Sequence, residues 1–301
     1  MLIVAALGGN ALLQRGERPG AQIQQHHVVD AVAQLAQLAS GNELIVTHGN
    51  GPQVGLLALE SASDTTLERP FPFDALGAQT QGMIGYWLVQ ALNNAVPSRD
   101  AVALVTQTVV GPDDPGFRHP TKFVGRGYEE DEARRRAMAG QWTIRQDGPL
   151  WRRVVASPEP LEVVEHATIE SLVHAGTIVV CVGGGGVPVV RDQQGKLLGV
   201  EAVIDKDLAT SLLARLVDAD VVLFLTDVGG VFEDYGRPSE RLLRSTRVEE
   251  LRAHSFAAGS MGPKVEAACR FVEATGRRAS IGSLDDVAGL LEGSTGTSVT
   301  K

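Results

Sequence analysis

A short apolar stretch that ends in glycines constrains the fold more than any other part of this sequence. The six residues Leu2–Leu7 lead directly into Gly8 and Gly9, and such a run predicts a buried strand of a parallel sheet. Glycine lets the backbone turn sharply and brings its N–H groups close to a bound anion. Two hypotheses follow: the turn cradles a phosphate, or its glycines serve the turn geometry alone.

The same unit returns later in the chain. The strand-like residues Glu43–His48 precede a second glycine turn at 49–51, and residues 22–38 between the two units carry apolar side chains at helical spacing. Repeated strand–helix units predict an α/β fold with a parallel sheet and right-handed crossovers. Both glycine turns then open at the same edge of the sheet, where such folds bind ligands.

Length and charge limit the classes of protein that fit. The 301 residues, 44% of them hydrophobic, suffice for one large α/β domain or two lobes that share a sheet. The net charge of −9 argues against nucleic acid or an anionic membrane as the main partner. No apolar run reaches membrane-spanning length and no secretory signal is visible. Cys181 and Cys269 lie in apolar runs typical of reduced core thiols, so we expect a cytoplasmic protein without a Cys/His metal site.

The strand–helix alternation breaks between residues 111 and 160. A turn-rich start is followed by a charged segment and by two strand-like pieces that carry Trp142 and Trp151. The two tryptophans favour an ordered insert over a disordered one. We therefore expect an inserted subdomain or lid at 111–160.

Residues 74–92, before this insert, predict a long helix that contains Gly77, Gly82 and Gly85. Each glycine costs a helix about 1 kcal/mol relative to alanine. We expect close packing or the approach of a ligand to be the reason that they are tolerated there. Near the end of the chain, residues 297–300 predict an edge strand.

Four consecutive glycines at 183–186 follow the most strand-like run of the chain. They form either a flexible linker or a cradle whose N–H groups face a phosphate chain. The run is held between Val182 and Val187-Pro188 rather than among serines, which favours the cradle. His48, beside the second glycine turn, has no serine or cysteine partner in a recognisable pattern and is expected to be a structural hydrogen-bonding residue.

Two lysines occupy positions that a helix dipole disfavours. Asp205 is a suitable N-cap for a helix whose first turn contains Lys206. Pro263 suits the first position of another helix, which places Lys264 in its first turn. A cation there opposes the dipole, so each turn is either a solvated charged turn or an anion site. Two such lysines favour a shared polyanion such as a phosphoryl group in transit, with Asp207 able to hold Lys206 in place.

Eight motifs spread over nearly the whole chain resemble the carbamate kinase branch of the amino-acid kinase family. They are ALGGNA at 6–11, THGNGPQV at 47–54, TQGMIGYW at 80–87, PTK at 120–122, WR at 151–152, GGGGVPVV at 183–190, GVEAVIDKD at 199–207 and GSMGPK at 259–264. The resemblance implies an open three-layer αβα sandwich around a mainly parallel sheet of about eight strands. It implies one domain at 1–301, with the phosphoryl acceptor held by 1–176, the nucleotide by 177–301, and the insert 111–160 protruding over the acceptor.

The resemblance also implies a reaction, ATP + carbamate ⇌ ADP + carbamoyl phosphate, run catabolically to make ATP. Mg²⁺ would be bound through the nucleotide phosphates, with no metal-ligand set of the protein's own. The implied partners are these small molecules and a second copy of the chain in a homodimer, with no nucleic acid and no membrane.

The site residues are carried over motif by motif. The implied catalytic residues are Lys122, Lys206, Asp207 and Lys264. The implied acceptor and phosphoryl contacts are Gly8, Gly9, Asn10, Gly49, Asn50, Gly51 and Arg152. The implied nucleotide contacts are Gly183, Gly184, Gly185, Lys206, Thr226, Asp227, Tyr235, Met261 and Lys264. Because carbamate is already a nucleophilic anion, positioning and electrostatics suffice and no strong general base is required.

Two departures from the family pattern stand out. The stretch 227–238 leans toward the Thr-Asp-Val-x-Gly-Val form of other family members, which leaves the adenine and ribose contacts open. Ala156 replaces a common proline and the segment after Lys122 is divergent, so the acceptor lid and the catalytic rate can differ.

Two alternatives stay open beside this interpretation. One is an amino-acid kinase that phosphorylates another small carboxylate or phosphate, which the insert with Lys122 and Trp151-Arg152 disfavours. The other is a catalytically silent module that binds a nucleotide or carbamoyl phosphate. The presence together of Lys122, Lys206, Asp207 and Lys264 disfavours that module, because a silent protein has no need of all four.

Overall fold

The computed structural model describes residues 1–14, 17–256 and 260–301. Its strands are β1 Leu2–Leu7, β2 Glu43–His48, β3 Ala101–Ala103, β4 Gln107–Val110, β5 Lys122–Tyr128, β6 Thr143–Asp147, β7 Leu150–Val155, β8 Pro160–Val163, β9 Ile178–Val180, β10 Val187–Arg191, β11 Leu197–Gly199, β12 Val221–Thr226, β13 Phe232–Glu233, β14 Arg241–Leu242, β15 Ser245–Arg247, β16 Ala279–Ser283 and β17 Thr297–Thr300. Its helices are α1 Ala21–Ala39, α2 Gly51–Ser63, α3 Phe73–Ala95, α4 Pro115–Arg118, α5 Glu130–Gly140, α6 His166–His174, α7 Lys206–Leu216, α8 Val248–Arg252, α9 Met261–Thr275 and α10 Val287–Glu292. Short 3₁₀ turns lie at Gly9–Ala11, Gly183–Gly185 and Leu284–Asp286. In these ranges the chain forms no helix that is both long and apolar enough to cross a membrane.

A central sheet organises the molecule. Over the described residues it has eight strands in the order β15-β17-β16-β12-β1-β2-β9-β3. All neighbours from β16 to β3 run parallel, while β17 is antiparallel to β16 and parallel to β15. The expected α/β fold with a mainly parallel sheet of about eight strands is confirmed.

The first strand lies in the middle of this sheet, and its side chains alternate between two cores. One core is covered by α6, α7, α8 and α9, and the other by α1, α3 and α10. Leu2, Val4 and Ala6 face the first core, while Ile3, Ala5 and Leu7 face the second. Burial on both faces explains why this strand is apolar at every position instead of at every second one.

The stretch from residue 101 to residue 110 is divided between two sheets. β3 stays at the edge of the central sheet, and β4 opens a second sheet of order β11-β10-β4-β8. The break falls at Thr106, whose N–H donates to Oε1 of Gln81 at 2.9 Å and whose carbonyl accepts from Nε2 of Gln81 at 3.1 Å. This side-chain amide from α3 pairs with the backbone of Thr106, whose carbonyl also accepts from the N–H of Val187 at the start of β10.

The segment 111–160 contains an antiparallel sheet of order β5-β7-β6, flanked by α5. The charged segment near residue 130 is the first half of α5. Val124 and Val155 of this sheet pack with Phe73 of α3 and with Val203. A buried apolar cluster therefore fastens the insert to the sandwich.

The glycines of α3 have different surroundings. A Cβ added at Gly85 would lie 2.7 Å from Cβ of Ala103, so close packing against β3 explains that glycine. A Cβ at Gly77 or Gly82 would meet nothing within 4 Å, so close packing does not explain these two glycines, and the approach of a ligand stays a prediction. The expected edge strand at 297–300 is also misplaced, because β17 lies between β15 and β16.

Candidate active site

Three glycine turns meet at the carboxyl ends of β1, β2 and β9, which are neighbours in the central sheet. A Cβ added at Gly49 would lie 2.9 Å from the backbone nitrogen of Gly9. A Cβ at Gly183 would collide with the imidazole of His48, and one at Gly184 with the amide of Asn50. At these three positions only glycine fits, because a side chain would collide with the neighbouring turn.

The turn at 183–186 is packed into the fold and is not a linker. All four glycines are buried, and Gly184, Gly185 and Gly186 have φ between +64° and +95°, a region that favours glycine. Thr108 Oγ1 donates to the carbonyl of Gly185 at 2.8 Å. The hypothesis of a flexible linker is therefore wrong, whereas its use as a phosphate cradle stays a prediction.

Two acidic residues organise the start of α7 beside these turns. Oδ1 of Asp205 caps the helix by accepting from the N–H groups of Asp207 at 2.9 Å and Leu208 at 3.2 Å, as the sequence predicted. Asp207 lies between two ammonium groups: Nζ of Lys206 is 2.6 Å from its Oδ1, and Nζ of Lys264 donates to its Oδ2 at 3.1 Å. The lysines that the helix dipole singled out thus share one carboxylate.

The helix that carries Lys264 begins slightly earlier than expected. Met261 is the first residue of α9, so Pro263 is its third residue and Lys264 its fourth. Proline is still tolerated there, because the first-turn N–H groups of a helix have no partner within it. The lysine remains in the first turn, as predicted.

The charges of this cluster shift one another's protonation. Burial acts to raise the pKa of Asp207, but the ammonium groups of Lys206 and Lys264 outweigh it and hold that pKa well below its usual range. Burial, joined by repulsion from Lys264, lowers the pKa of Lys206 in spite of its attraction to Asp207. For Lys264 the attraction of Asp207, Asp205 and Asp227 outweighs burial and raises the pKa.

The ammonium group of Lys206 has unmet hydrogen-bonding capacity. It is buried, with 7% of the residue exposed. Its Nζ forms an ion pair with Oδ1 of Asp207 at 2.6 Å, and within the described ranges no other group accepts from its three N–H donors. A buried donor without an acceptor is costly, so the position suits an anionic ligand.

Lys122 joins the cluster from the insert. Its Nζ donates to Oδ2 of Asp205 at 2.6 Å, which brings the first residue of β5 to the N-terminus of α7. All four residues assigned to catalysis therefore meet in one place. The sequence identified Asp205 only as a helix cap, because its pairing with Lys122 depends on how the insert docks.

The residues predicted to bind the nucleotide differ in their exposure to solvent. Thr226 ends β12 and donates from Oγ1 to Oδ1 of Asp227 at 3.1 Å. Met261 begins α9 and packs partly against the core. Tyr235 is largely exposed, and its ring centroid lies 5.8 Å from that of Phe232.

The residues predicted to bind the acceptor lie in different parts of the structure. Asn50 is buried and donates from Nδ2 to Oγ1 of Thr80 at 2.8 Å. Arg152 donates to Oδ2 of Asp147 at 2.8 Å and to the carbonyl of Gly125 at 2.9 Å, so these two bonds stay within the insert. The side chain of Asn10 and the residue Gly259 lie outside the described part of the chain, and their roles stay predictions.

A comparison with known proteins follows the same motifs. The model of the amino acid kinase family matches residues 1–283. The carbamate kinase of Rhizobium meliloti is 47% identical over 303 residues, which cover 100% of this chain and 93% of that protein. The chain belongs to the amino acid kinase family, in its carbamate kinase branch. The carbamate kinase of Pyrococcus furiosus is 48% identical over 309 residues, with 99% of this amino acid kinase and 98% of the relative covered.

Solved structures of amino acid kinases superpose closely. Carbamate kinase from Giardia lamblia bound to citric acid has a TM-score of 0.93 and 40% identity, covering 100% of this chain and 98% of that one. The Giardia lamblia enzyme bound to AMP-PNP has a TM-score of 0.89 and 41% identity with the same coverage. The agreement spans the sandwich and the insert alike.

Proposed function

We propose that this amino acid kinase is a carbamate kinase, which transfers a phosphoryl group reversibly between ATP and carbamate and works catabolically to make ATP. The observation that carries the proposal is the meeting of Lys122, Lys206 and Lys264 at the N-terminus of α7, beside the glycine turns. Three ammonium groups match the charge that spreads over a phosphoryl group in transit. The carbamate kinases that match this chain over more than nine-tenths of their own length support the same substrate.

The residues of this site act by position and charge. In the direction of ATP synthesis, an oxygen of the ADP β-phosphate attacks the phosphorus of carbamoyl phosphate while the bond from phosphorus to the carbamate oxygen breaks. Lys206 and Lys264 stabilise the equatorial oxygens of the phosphoryl group, and Asp207 fixes the two ammonium groups. Carbamate leaves as an anion, so no acid with a strongly raised pKa is required.

The glycine turns divide the work between the two substrates. Gly183, Gly184 and Gly185, with the N-terminus of α7, face the nucleotide phosphates. Gly8, Gly9, Asn10 and the turn at 49–51 hold carbamoyl phosphate on the other side. The division assigns residues 1–176 to the acceptor and 177–301 to the nucleotide.

Mg²⁺ enters this scheme with the nucleotide. The site carboxylates of Asp205 and Asp207 are engaged by lysines, and the described residues contain no cluster of three or more side chains able to hold a metal. Mg²⁺ in kinases is held largely by substrate phosphates. When bound, it neutralises charge on the phosphates that meet at the lysine cluster.

The deciding experiment is ATP formation from carbamoyl phosphate and ADP by the purified protein, followed through a coupled enzyme. We expect turnover that depends on both substrates and on Mg²⁺. Acetyl phosphate and N-acetylglutamyl phosphate serve as competing donors in the same assay. Preference for either would favour the alternative amino-acid kinase, and absence of turnover by the folded protein with every donor would favour the silent binding module.

The proposal extends to assembly and compartment. We expect a homodimer, as the resemblance implies, with a mass near twice that of one chain in sedimentation equilibrium. Both cysteines are free and buried, and burial raises the pKa of the Cys269 thiol to about 11. Unreactive thiols of this kind suit the reducing cytoplasm, where carbamoyl phosphate from arginine breakdown would be a source of substrate.

A further inference from the structure

Asp205 uses its two carboxylate oxygens for different purposes. Oδ1 accepts from the N–H groups of Asp207 and Leu208 and thereby caps α7. Oδ2 accepts from Nζ of Lys122 at 2.6 Å, and the two side chains are 13% and 28% exposed. A cap needs only the first of these oxygens, so the second contact requires its own explanation.

We infer that Asp205 is a positioning residue that holds Lys122 of the insert at the phosphoryl-transfer site. This inference rests on the proposed function, because it assigns Lys122 to that site. The carboxylate joins two segments that are distant in the chain, the start of β5 and the start of α7. Lys206 follows Asp205 directly in sequence. The carboxylate that caps α7 therefore places Lys122 close to Lys206.

Other helix caps in this chain show that the lysine contact is not a general feature of capping. Asp286 caps α10 by accepting from the N–H of Gly289 at 2.9 Å. Asp114 caps α4, and its other oxygen accepts from a backbone N–H at residue 159. Among the residues that the structure describes, no lysine forms an ion pair with either of these carboxylates, whereas at Asp205 the lysine contact is short and partly buried.

Neighbouring contacts also hold the insert against the segment that precedes α7. Val203, two residues before Asp205, packs in the same buried cluster as Val124 and Val155 of the insert. The N–H of Val203 donates to the carbonyl of Ala156 at 2.9 Å. Two parts of the insert therefore contact the segment that leads into α7. Ala156 contacts it through the backbone, and Lys122 at the start of β5 contacts it through the salt bridge with Asp205.

Asparagine separates the two roles, because it caps a helix about as well as aspartate but carries no charge. We expect Asp205→Asn to lower kcat/KM for carbamoyl phosphate about tenfold. Lys122→Met should lower it at least as much. The double variant should fall within about threefold of Lys122→Met alone, because the first change then has no lysine left to position.

Additive losses in this cycle would overturn the inference, since they would show that Asp205 acts through the other lysines or through the cap. Asp286→Asn is the matched control and should leave kcat/KM unchanged. Thermal unfolding of each variant separates a loss of folding from a loss of positioning. Asp205→Glu, which keeps the charge, should recover part of the activity.

A second measurement does not depend on the reaction. Reductive methylation with formaldehyde and sodium cyanoborohydride as the hydride donor, read by mass spectrometry, should modify Lys122 several-fold more slowly than the exposed Lys196 in the unliganded protein. In Asp205→Asn the two rates should converge, and in Asp286→Asn they should not. Equal rates in the parent protein would refute the pairing itself, even if carbamate kinase activity is established, while protection without activity would refute only the proposed function.

Discussion

His48 shows how a single side chain ties stability to pH. Its imidazole is buried at the end of β2, with Nδ1 3.1 Å from the carbonyl of Gly49. Burial, with the nearby charge of Lys206, lowers its pKa from 6.5 to about 4. The folded protein therefore holds a neutral imidazole under conditions in which the unfolded chain takes up a proton.

This shift predicts an acid-dependent loss of stability. Between pH 6.5 and 4 the unfolded state binds more protons at His48 than the folded state, so the free energy of unfolding falls as the pH is lowered through that range. Going from pH 7 to pH 5 should cost about 2 kcal/mol through this residue. Urea unfolding at both pH values should show a smaller pH effect in His48→Gln than in the parent. Equal pH effects would contradict the assignment.

Lys264 supports a prediction about catalysis. Its ammonium group contacts Asp207 and faces the site, so Lys264→Ala should lower turnover by orders of magnitude while ADP still binds. Coupled ATP formation and calorimetric titration with ADP measure the two quantities. The exposed Lys196, changed to alanine, is the matched control. A loss of turnover below about threefold, which corresponds to under ~1 kcal/mol, would remove the proposed role.

At the residue scale, the sequence identified those site residues whose signal lies in their own stretch of chain. Lys206 and Lys264 were found because each opposes a helix dipole in its own first turn. The pair of Lys122 and Asp205 was missed because the two residues are far apart in the chain and the docking of the insert decides whether they meet. The structural role expected for His48 stays a prediction, and its burial could not be known from the sequence because it depends on how Gly183 packs against the imidazole.

Among the elements, α2 and β5 come closer together than any side chain permits. A Cβ at Gly55 would collide with the backbone of Gly125, which itself has φ of +69°. Gly55→Ala should therefore displace the insert, raise KM for carbamoyl phosphate and destabilise the fold by about 1–3 kcal/mol. Steady-state kinetics and urea unfolding measure both effects.

A second glycine provides the control for that variant. Gly82 lies exposed in the interior of α3, and a Cβ there meets nothing within 4 Å. Gly82→Ala should stabilise the protein by about 0.5–1 kcal/mol and leave KM unchanged. If Gly55→Ala were as well tolerated as Gly82→Ala, the tight docking of the insert would be refuted.

The elements themselves were largely predictable. Glycine-bounded apolar runs marked β1 and β2, and helical spacing marked α1 and α3. The division of 101–110 between two sheets was not predictable, because it depends on the amide of Gln81 from a distant helix. The strand β8 was not predicted either, because its four residues are too few to show a clear alternation.

For the whole molecule, strand order was the part that local patterns could not reveal. The last strand of the chain lies between β15 and β16, and its Thr297 and Val299 are fully buried. β16 is the strand just before β17, but β15 lies further back in the chain, so the insertion of β17 between them is decided by the packing of the entire sandwich. The interpretation of residues 297–300 as an edge strand failed for this reason.

That position predicts the effect of a short truncation. Removing residues 297–301 leaves β15 and β16 without their shared neighbour and exposes apolar surface of the core. We expect the truncated chain to lose cooperative thermal unfolding and to aggregate. Removal of the exposed Lys301 alone should leave the melting temperature within about 2 °C of the parent. A stable fold without the last strand would show that the sheet tolerates an open edge there.

The meeting of the three glycine turns has a consequence for how the protein comes into being. The turns touch one another but are separated by long stretches of chain, so the site consists of contacts with a high sequence separation. Closing such long loops is slow compared with forming local helices and hairpins. A nascent chain still on the ribosome that has completed α1 and α3 has no pocket yet. We therefore expect catalytic activity to appear only in a late step of folding, when the third glycine turn meets the first two.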